Sequence, residues 1–253
     1  MNAFDSSPPT LGCYAAILPA AGSGQRFGAE SNKLFALLDD KPLWYHAASR
    51  LRDQGLIGRI VMAIASVDRD RFQSEYADMV SELQIELVAG GAARTDSVRA
   101  GLEHLADDDS VRFIVVHDAA RPLVSAADLA SVLAIASQSG AALLATPMPG
   151  TVKREVSAEA SSGSQQFHGS GGSETVDRRN LWIALTPQVF HVDVLREAYE
   201  KYRGRPATDD AELVERIGRR VALVRGSAEN IKITHPEDLL IAQAILKRQN
   251  KNA

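Results

Sequence analysis

The sequence predicts an α/β fold: a mostly parallel, doubly wound sheet with a projecting β-arm. Three observations carry this expectation. Short apolar runs alternate with helical patterns from residue 14 to about residue 145, the signature of βαβ units. The runs are continuously apolar, as strands covered on both faces are. Near residue 150 the alternation gives way to two strand-like segments around a stretch rich in Ser and Gly, which suggests a hairpin arm.

The elements follow in order. A first strand is expected at 14–18, ending at a glycine-rich loop. A helix follows at 42–52, with Pro42 in its first turn, where a missing N–H costs little. Next come a strand at 59–65, a helix near 70–77, a strand at 84–88, a helix at 95–105 and a strand at 113–117. Ser125 is placed to cap a helix that reaches about residue 136, before a strand at 141–145. The arm is expected at about 150–180, from strand-like segments at 151–156 and 174–178 around a Ser/Gly/Ala-rich stretch at 157–173, of which 161–173 reads as a flexible loop. A strand at 181–185, helices at 192–201 and 209–217, a strand at 221–224 and a helix at 236–248 complete the chain. Residues 1–12 read as a disordered tail and 13–249 as a single domain that includes the arm.

Composition narrows the function. With 45% hydrophobic residues the chain can bury a sizeable core, and its net charge of -4 gives no global field for nucleic acid or anionic membrane. Any bound anion must therefore be held by a local group of cations. Cys13 is the single cysteine, which excludes an internal disulfide and a zinc-type Cys/His cluster and fits a cytoplasmic setting. No run approaches the ~18 apolar residues of a membrane helix.

Three strand ends carry candidate chemistry. The loop from Pro19 to Gly28 (PAAGSGQRFG) follows the first strand. Small residues there let backbone N–H groups approach phosphate oxygens, and Arg26 and Lys33 follow within reach. Its glycine spacing also approaches that of dinucleotide-binding loops, and a plain βα turn remains open. The segment from His117 to Pro122 (HDAARP) places Asp118 at a strand end, where a carboxylate can accept ribose hydroxyls or approach a metal, and Arg121 where it can grip a phosphate. A salt-bridged turn is the alternative. The segment GGAARTDSV offers Gly91 for close backbone contact and Ser97 to hydrogen-bond a base or sugar, with Thr95 or Asp96 equally suited to capping. Thr151, Lys153, Arg178, Thr186, Gln188, Thr208, Asp209, Asn230 and Lys232 form a scattered polar set. His117 reads as a core histidine, and Trp44 and Trp182 as packing residues.

Together the stretches LPAAGSGQRFG, NKLF, GGAARTDSV, VHDAARP, TVKR, TVDRRNLWIALTPQVF, ATDDAELVE and ENIKITHPEDL resemble the 2-C-methyl-D-erythritol 4-phosphate cytidylyltransferase family, in family order over about residues 14–246. The resemblance implies a Rossmann-like sheet, a homodimer built by the β-arm, and the joining of CTP to a sugar-alcohol phosphate with Mg²⁺ held mainly by the triphosphate. It implies that Pro19, Ala20, Ala21 and Gly22 cradle the nucleotide. Gly91 and Ser97 then lie toward the cytosine, Arg94 belongs to the same nucleotide site, and Asp118 and Ala119 lie toward the ribose. Arg26, Lys33, Arg178 and Lys232 take the catalytic charges. Asp118, Arg121, Thr151, Arg178, Thr186, Thr208 and Lys232 line the acceptor site, Arg178 serving the partner subunit. No protein-held metal is implied. Asn32, Leu34 and Ala92 depart from the family pattern.

An acceptor phosphate is already ionised at neutral pH, so no general base is required, in keeping with the lack of a His/Asp/Ser arrangement. Three rival readings stand beside this one. They are a ribitol 5-phosphate cytidylyltransferase, a nicotinamide-dependent oxidoreductase lacking the usual ribose-binding acid, and a non-catalytic nucleotide binder.

Overall fold

The computed structural model describes residues 12–22, 27, 32–156 and 172–251. The tail expected at 1–12, apart from Gly12, therefore lies outside the described residues, as do Arg26 and most of the arm loop.

Strand β1 (Tyr14–Ala20) lies in the interior of a seven-stranded sheet. Its side chains alternate between two buried layers. Tyr14, Ala16, Leu18 and Ala20 enter one core, while Ala15 and Ile17 enter the other. This two-sided burial is why the sequence reads as an unbroken apolar run. A short β-hairpin, β2 (Leu37–Leu38) and β3 (Lys41–Pro42), leads into α1 (Leu43–Arg52). Pro42 stands at the N-cap, one residue before the helix rather than in its first turn. Strand β4 (Ile57–Ile64) pairs in parallel with β1 and with β5 (Ile85–Ala89).

The helix expected near 70–77 is instead two short ones, α2 (Arg69–Gln73) and α3 (Ala77–Glu82). At the break the Ser74 hydroxyl donates to the Asp70 carbonyl at 2.7 Å, a local bond that competes with helix continuation. The break lets Phe72 and Tyr76 both pack against Trp44 and Phe35.

Helix α4 (Arg94–His104), strand β6 (Phe113–Val116), helix α5 (Ala126–Ser139) and strand β7 (Ala141–Pro147) follow. Ser125 caps α5 as expected, its hydroxyl accepting from Asp128 N at 3.1 Å, and Gly140 closes the helix at φ 79°, a conformation that glycine adopts without penalty.

The arm strands β8 (Val152–Glu155) and β9 (Ser173–Val176) form a separate antiparallel pair with mostly exposed side chains. Strand β10 (Trp182–His191) is longer than expected and runs antiparallel between β6 and β7. Its register shifts between Ala184 and Gln188, around Pro187, which has no N–H for the ladder. The first half of β10 is exposed, Trp182 included at 38%, so Trp182 is not a core residue of this chain, whereas Trp44 is fully buried. The chain ends with α6 (Val192–Lys201), α7 (Asp210–Arg216), β11 (Ala222–Arg225) and α8 (Asp238–Lys251). The strand order is β11-β7-β10-β6-β1-β4-β5, parallel except for β10. Among the described residues no helix is long and apolar enough to cross a membrane.

Candidate active site

The carboxyl ends of β1, β5 and β6 open onto one cleft, the place where open α/β sheets hold ligands. Each wall follows from local structure. At the end of β1, Ala20, Ala21 and Gly22 leave no bulky side chain over the backbone. Beyond β5, the Gly90 N–H bonds to the Ile64 carbonyl at 2.8 Å. A Cβ on Gly90 would stand 2.5 Å from Ala21 Cβ and 2.9 Å from Ser97 Oγ, so only glycine lets the two loops approach. The Ser97 hydroxyl accepts from Gly91 N at 3.2 Å and fixes the turn into α4. Asp96 accepts from Ala93 N at 3.1 Å, which makes Asp96 the capping acid of α4, while Thr95 is buried.

Lys33 enters from a short 3-10 turn, Lys33–Phe35, that Asn32 caps. Asn32 also donates to Asp68 at 2.9 Å, which gives this departure from the family pattern a structural role. Lys33 Nζ donates to the Ile233 carbonyl at 2.8 Å, which links the β1 loop to the segment before α8.

Pro19, Ala20, Ala21, Gly22, Lys33, Gly91, Arg94, Ser97, Asp118, Ala119 and Lys232 all line this first chamber. A second chamber, adjoining it, is lined by Asp118, Arg121, Thr186, Thr208 and Lys232, together with Gln188 and Asp209. Arg94, Asp118 and Lys232 belong to both walls.

Asp118 is the hub. Its carboxylate accepts from Lys232 Nζ at 2.7 Å and from Arg94 Nε at 3.0 Å, with Arg121 Nε at 3.8 Å. Burial would raise its pKa, but Arg94, Lys232 and Arg121 outweigh it and hold the carboxyl well below the usual range. Arg121 answers to burial, which lowers its pKa, and its Nη1 donates to the Asn230 carbonyl at 2.7 Å. His117 is wholly buried between the Arg121 carbonyl and the Thr186 hydroxyl, at 3.0 Å from each. Burial pushes its pKa down to about 4, so it is neutral and structural.

Two expected acceptor residues stand apart. Thr151 and Arg178 do not line the second chamber of their own chain. Arg178 bonds the Pro149 carbonyl and, with Arg179 and Arg225, lines a separate cleft at the base of the arm. Arg26 lies outside the described residues. Sequence reasoning missed Asp210, which is fully buried and pairs with Arg94 at 2.6 Å. The doubled acid in ATDDAELVE was the available signal: Asp209 caps α7, which frees Asp210 to face inward.

Among the described residues, the two chambers hold four basic side chains, Lys33, Arg94, Arg121 and Lys232, against the carboxylates Asp118 and Asp209. Arg94 Nη2 and Arg121 Nε are buried without a hydrogen-bond partner among the described residues. This is a site for anions on the strand ends of a nucleotide-binding sheet, and fold and site define a nucleotidyltransferase.

A model of the 2-C-methyl-D-erythritol 4-phosphate cytidylyltransferase family matches residues 14–248, and the chain belongs to that family. A 2-C-methyl-D-erythritol 4-phosphate cytidylyltransferase of Rhodopirellula baltica is 51% identical over 239 residues, covering 91% of this chain and 93% of the relative. One from Bacillus velezensis is 38% identical over 242 residues, covering 94% and 98% respectively. The crystal structure of the enzyme of that name from Thermus thermophilus superposes with a TM-score of 0.72 at 33% identity, covering 92% of this chain and 98% of that one. A 4-diphosphocytidyl-2C-methyl-D-erythritol synthase from Anaerococcus prevotii gives a TM-score of 0.75 at 26% identity, covering 93% and 99%.

Proposed function

We propose that the first chamber holds CTP and the second the phosphate end of 2-C-methyl-D-erythritol 4-phosphate, with Arg94, Asp118 and Lys232 as their common wall. The chain is a cytidylyltransferase of its family, giving 4-diphosphocytidyl-2-C-methyl-D-erythritol and pyrophosphate. The observation that carries the placement is the sharing of Lys232 between the chambers, because the reaction brings two anions together.

In this reading an acceptor phosphate oxygen attacks the α-phosphorus of CTP in line and pyrophosphate departs. Lys33 and Arg26 meet the triphosphate, where charge builds on the leaving group. Lys232 spans the entering and transferring phosphates. Cations positioned before the reaction need no reorganisation during it. Asp118 orients Lys232 and Arg94 and presents its remaining acceptor capacity toward the ribose, while the loop from Pro19 to Gly22 and Gly91 supply backbone contacts. Thr186, Thr208 and Arg121 complete the acceptor wall.

Mg²⁺ belongs to the same proposal. Asp118 is the one carboxylate among the described residues lining the first chamber, and it is already paired with three cations. That donor set fits an ion held mainly by triphosphate oxygens and water, with Asp118 beside it. When bound, it would neutralise charge on the phosphates.

The positions of Arg178 and Thr151 outside their own second chamber support their service to a partner subunit across a homodimer. The exposed Leu181, Trp182 and Ile183 beside the arm support burial in such an interface. A cytoplasmic location is supported by the single, buried Cys13. The test is pyrophosphate release with CTP and methylerythritol phosphate, with ribitol 5-phosphate as a parallel acceptor. Release with ribitol 5-phosphate alone would overturn the acceptor assignment.

A further inference from the structure

The Arg94 guanidinium is held from two sides. Nε donates to Asp118 at 3.0 Å and Nη1 to Asp210 at 2.6 Å. Asp210 is fully buried, and its other oxygen accepts the hydroxyl of Tyr199, itself only 4% exposed. Burial, followed by the charge of Asp210, pushes the Tyr199 phenol up, so it remains a donor. The resulting relay, Tyr199 to Asp210 to Arg94 to Asp118, runs from inside α6 to the wall shared by both chambers.

The backbone fixes this relay. Asp209 caps α7 by accepting from Glu212 N at 2.9 Å, which places Asp210 on the inner side of the first turn. Gln188 of β10 bonds Asp209 at 2.8 Å through its amide nitrogen and accepts from Ala211 N at 3.0 Å through its oxygen. The first turn of α7 is therefore clamped to the sheet, and the acid between the two clamped residues cannot turn away from Arg94. A buried carboxylate is costly unless it is paired and hydrogen-bonded, and this one has both partners.

We infer that Asp210 and Tyr199 are positioning residues for the transfer reaction: they aim Arg94, and through it Asp118, at the substrates. They touch neither chamber themselves, since neither lines one. The inference rests on Arg94 serving the proposed nucleotide chamber.

The test is a double-mutant cycle on the full chain with Tyr199→Phe and Arg94→Lys. Tyr199→Phe keeps the ring and removes only the hydroxyl. It is expected to lower kcat/KM for CTP roughly tenfold, the scale of one lost hydrogen bond to a charged group. The double variant should be no worse than Arg94→Lys alone, because both act through the same guanidinium. Asp210→Asn, which keeps the shape of the side chain, should show the same lack of additivity. Losses that multiply in the double variants, or a lower melting temperature with unchanged kinetics in both Tyr199→Phe and Asp210→Asn, overturn the positioning role. Wild-type kinetics in Arg94→Lys would overturn the chamber reading itself, and the positioning role with it.

Discussion

Lys232 Nζ lies 2.7 Å from Asp118 Oδ2, although the two residues are 114 positions apart in the chain. Lys232 is two-fifths exposed and comes from the segment before α8, while Asp118 is buried at the end of β6. Asp118 keeps Arg94 when Lys232 is removed, and no buried charge is orphaned. Lys232→Ala is therefore expected to fold and melt normally while losing about 10²–10³ in kcat, the scale for one preorganised donor. A normal melt together with near-wild-type pyrophosphate release would refute the role given to Lys232.

Lys33 and Arg26 are assigned to the triphosphate. Lys33→Ala and Arg26→Ala are each expected to fold and to lose about 10²–10³ in kcat for the same reason. Lys33 also holds the Ile233 carbonyl, so its variant should show a small loss of stability besides. Turnover close to wild type in both would contradict the triphosphate assignment.

Arg178→Ala is expected to lower kcat/KM for the acceptor and to leave KM for CTP nearly unchanged. If the arm serves a partner, mixing the Arg178→Ala and Lys232→Ala proteins should restore activity. The mixed dimer contains one site with both native side chains. A mixture no more active than its components would show that the arm does not cross between subunits.

His117 sets a pH window for stability. Its folded pKa is about 4 against an ordinary 6.5, so the unfolded chain takes up a proton that the native chain refuses. The native state is thus stabilised above pH 6.5 and loses that contribution as pH falls toward 4, by on the order of 3 kcal/mol. Urea midpoints measured across this window should fall, and His117→Gln should flatten the slope. An equal slope in the variant would assign the effect elsewhere. Asp118 acts in the same direction at lower pH, since its depressed pKa makes its contribution fade only below the ordinary carboxylate range.

Gly101 sits inside α4 against β1. Alanine there gains helix propensity of up to about 1 kcal/mol. Its Cβ would meet Ile17 Cγ2 at 2.7 Å, however, and Ile17 is fully buried. Overpacking of this kind costs about 1–3 kcal/mol, so the clash wins and Gly101→Ala should be destabilised. An unchanged or raised denaturation midpoint would show that the core beneath α4 yields.

Local features carried most of the fold. The apolar runs of β1, β4 and β6 announced buried strands because both faces of each are covered, and Ser125 announced α5 because capping is a short-range bond. The break at Ser74 was hidden because it follows from where Phe72 and Tyr76 must point, which depends on the core around Trp44. The length of β10 was hidden because Pro187 interrupts its pattern and only its neighbours β6 and β7 complete it.

By itself, the sequence determined the family, the order of the elements and the residues with the right chemistry for two anions. These follow from motifs and periodicities read over a few positions at a time. Only the tertiary structure decided which of those residues meet. It brought Lys232 onto Asp118, turned Asp210 rather than Asp209 toward Arg94, and left Arg178 and Thr151 outside the second chamber of their own chain. Charge pairing across more than a hundred residues depends on distance in space, and strand order sets that distance.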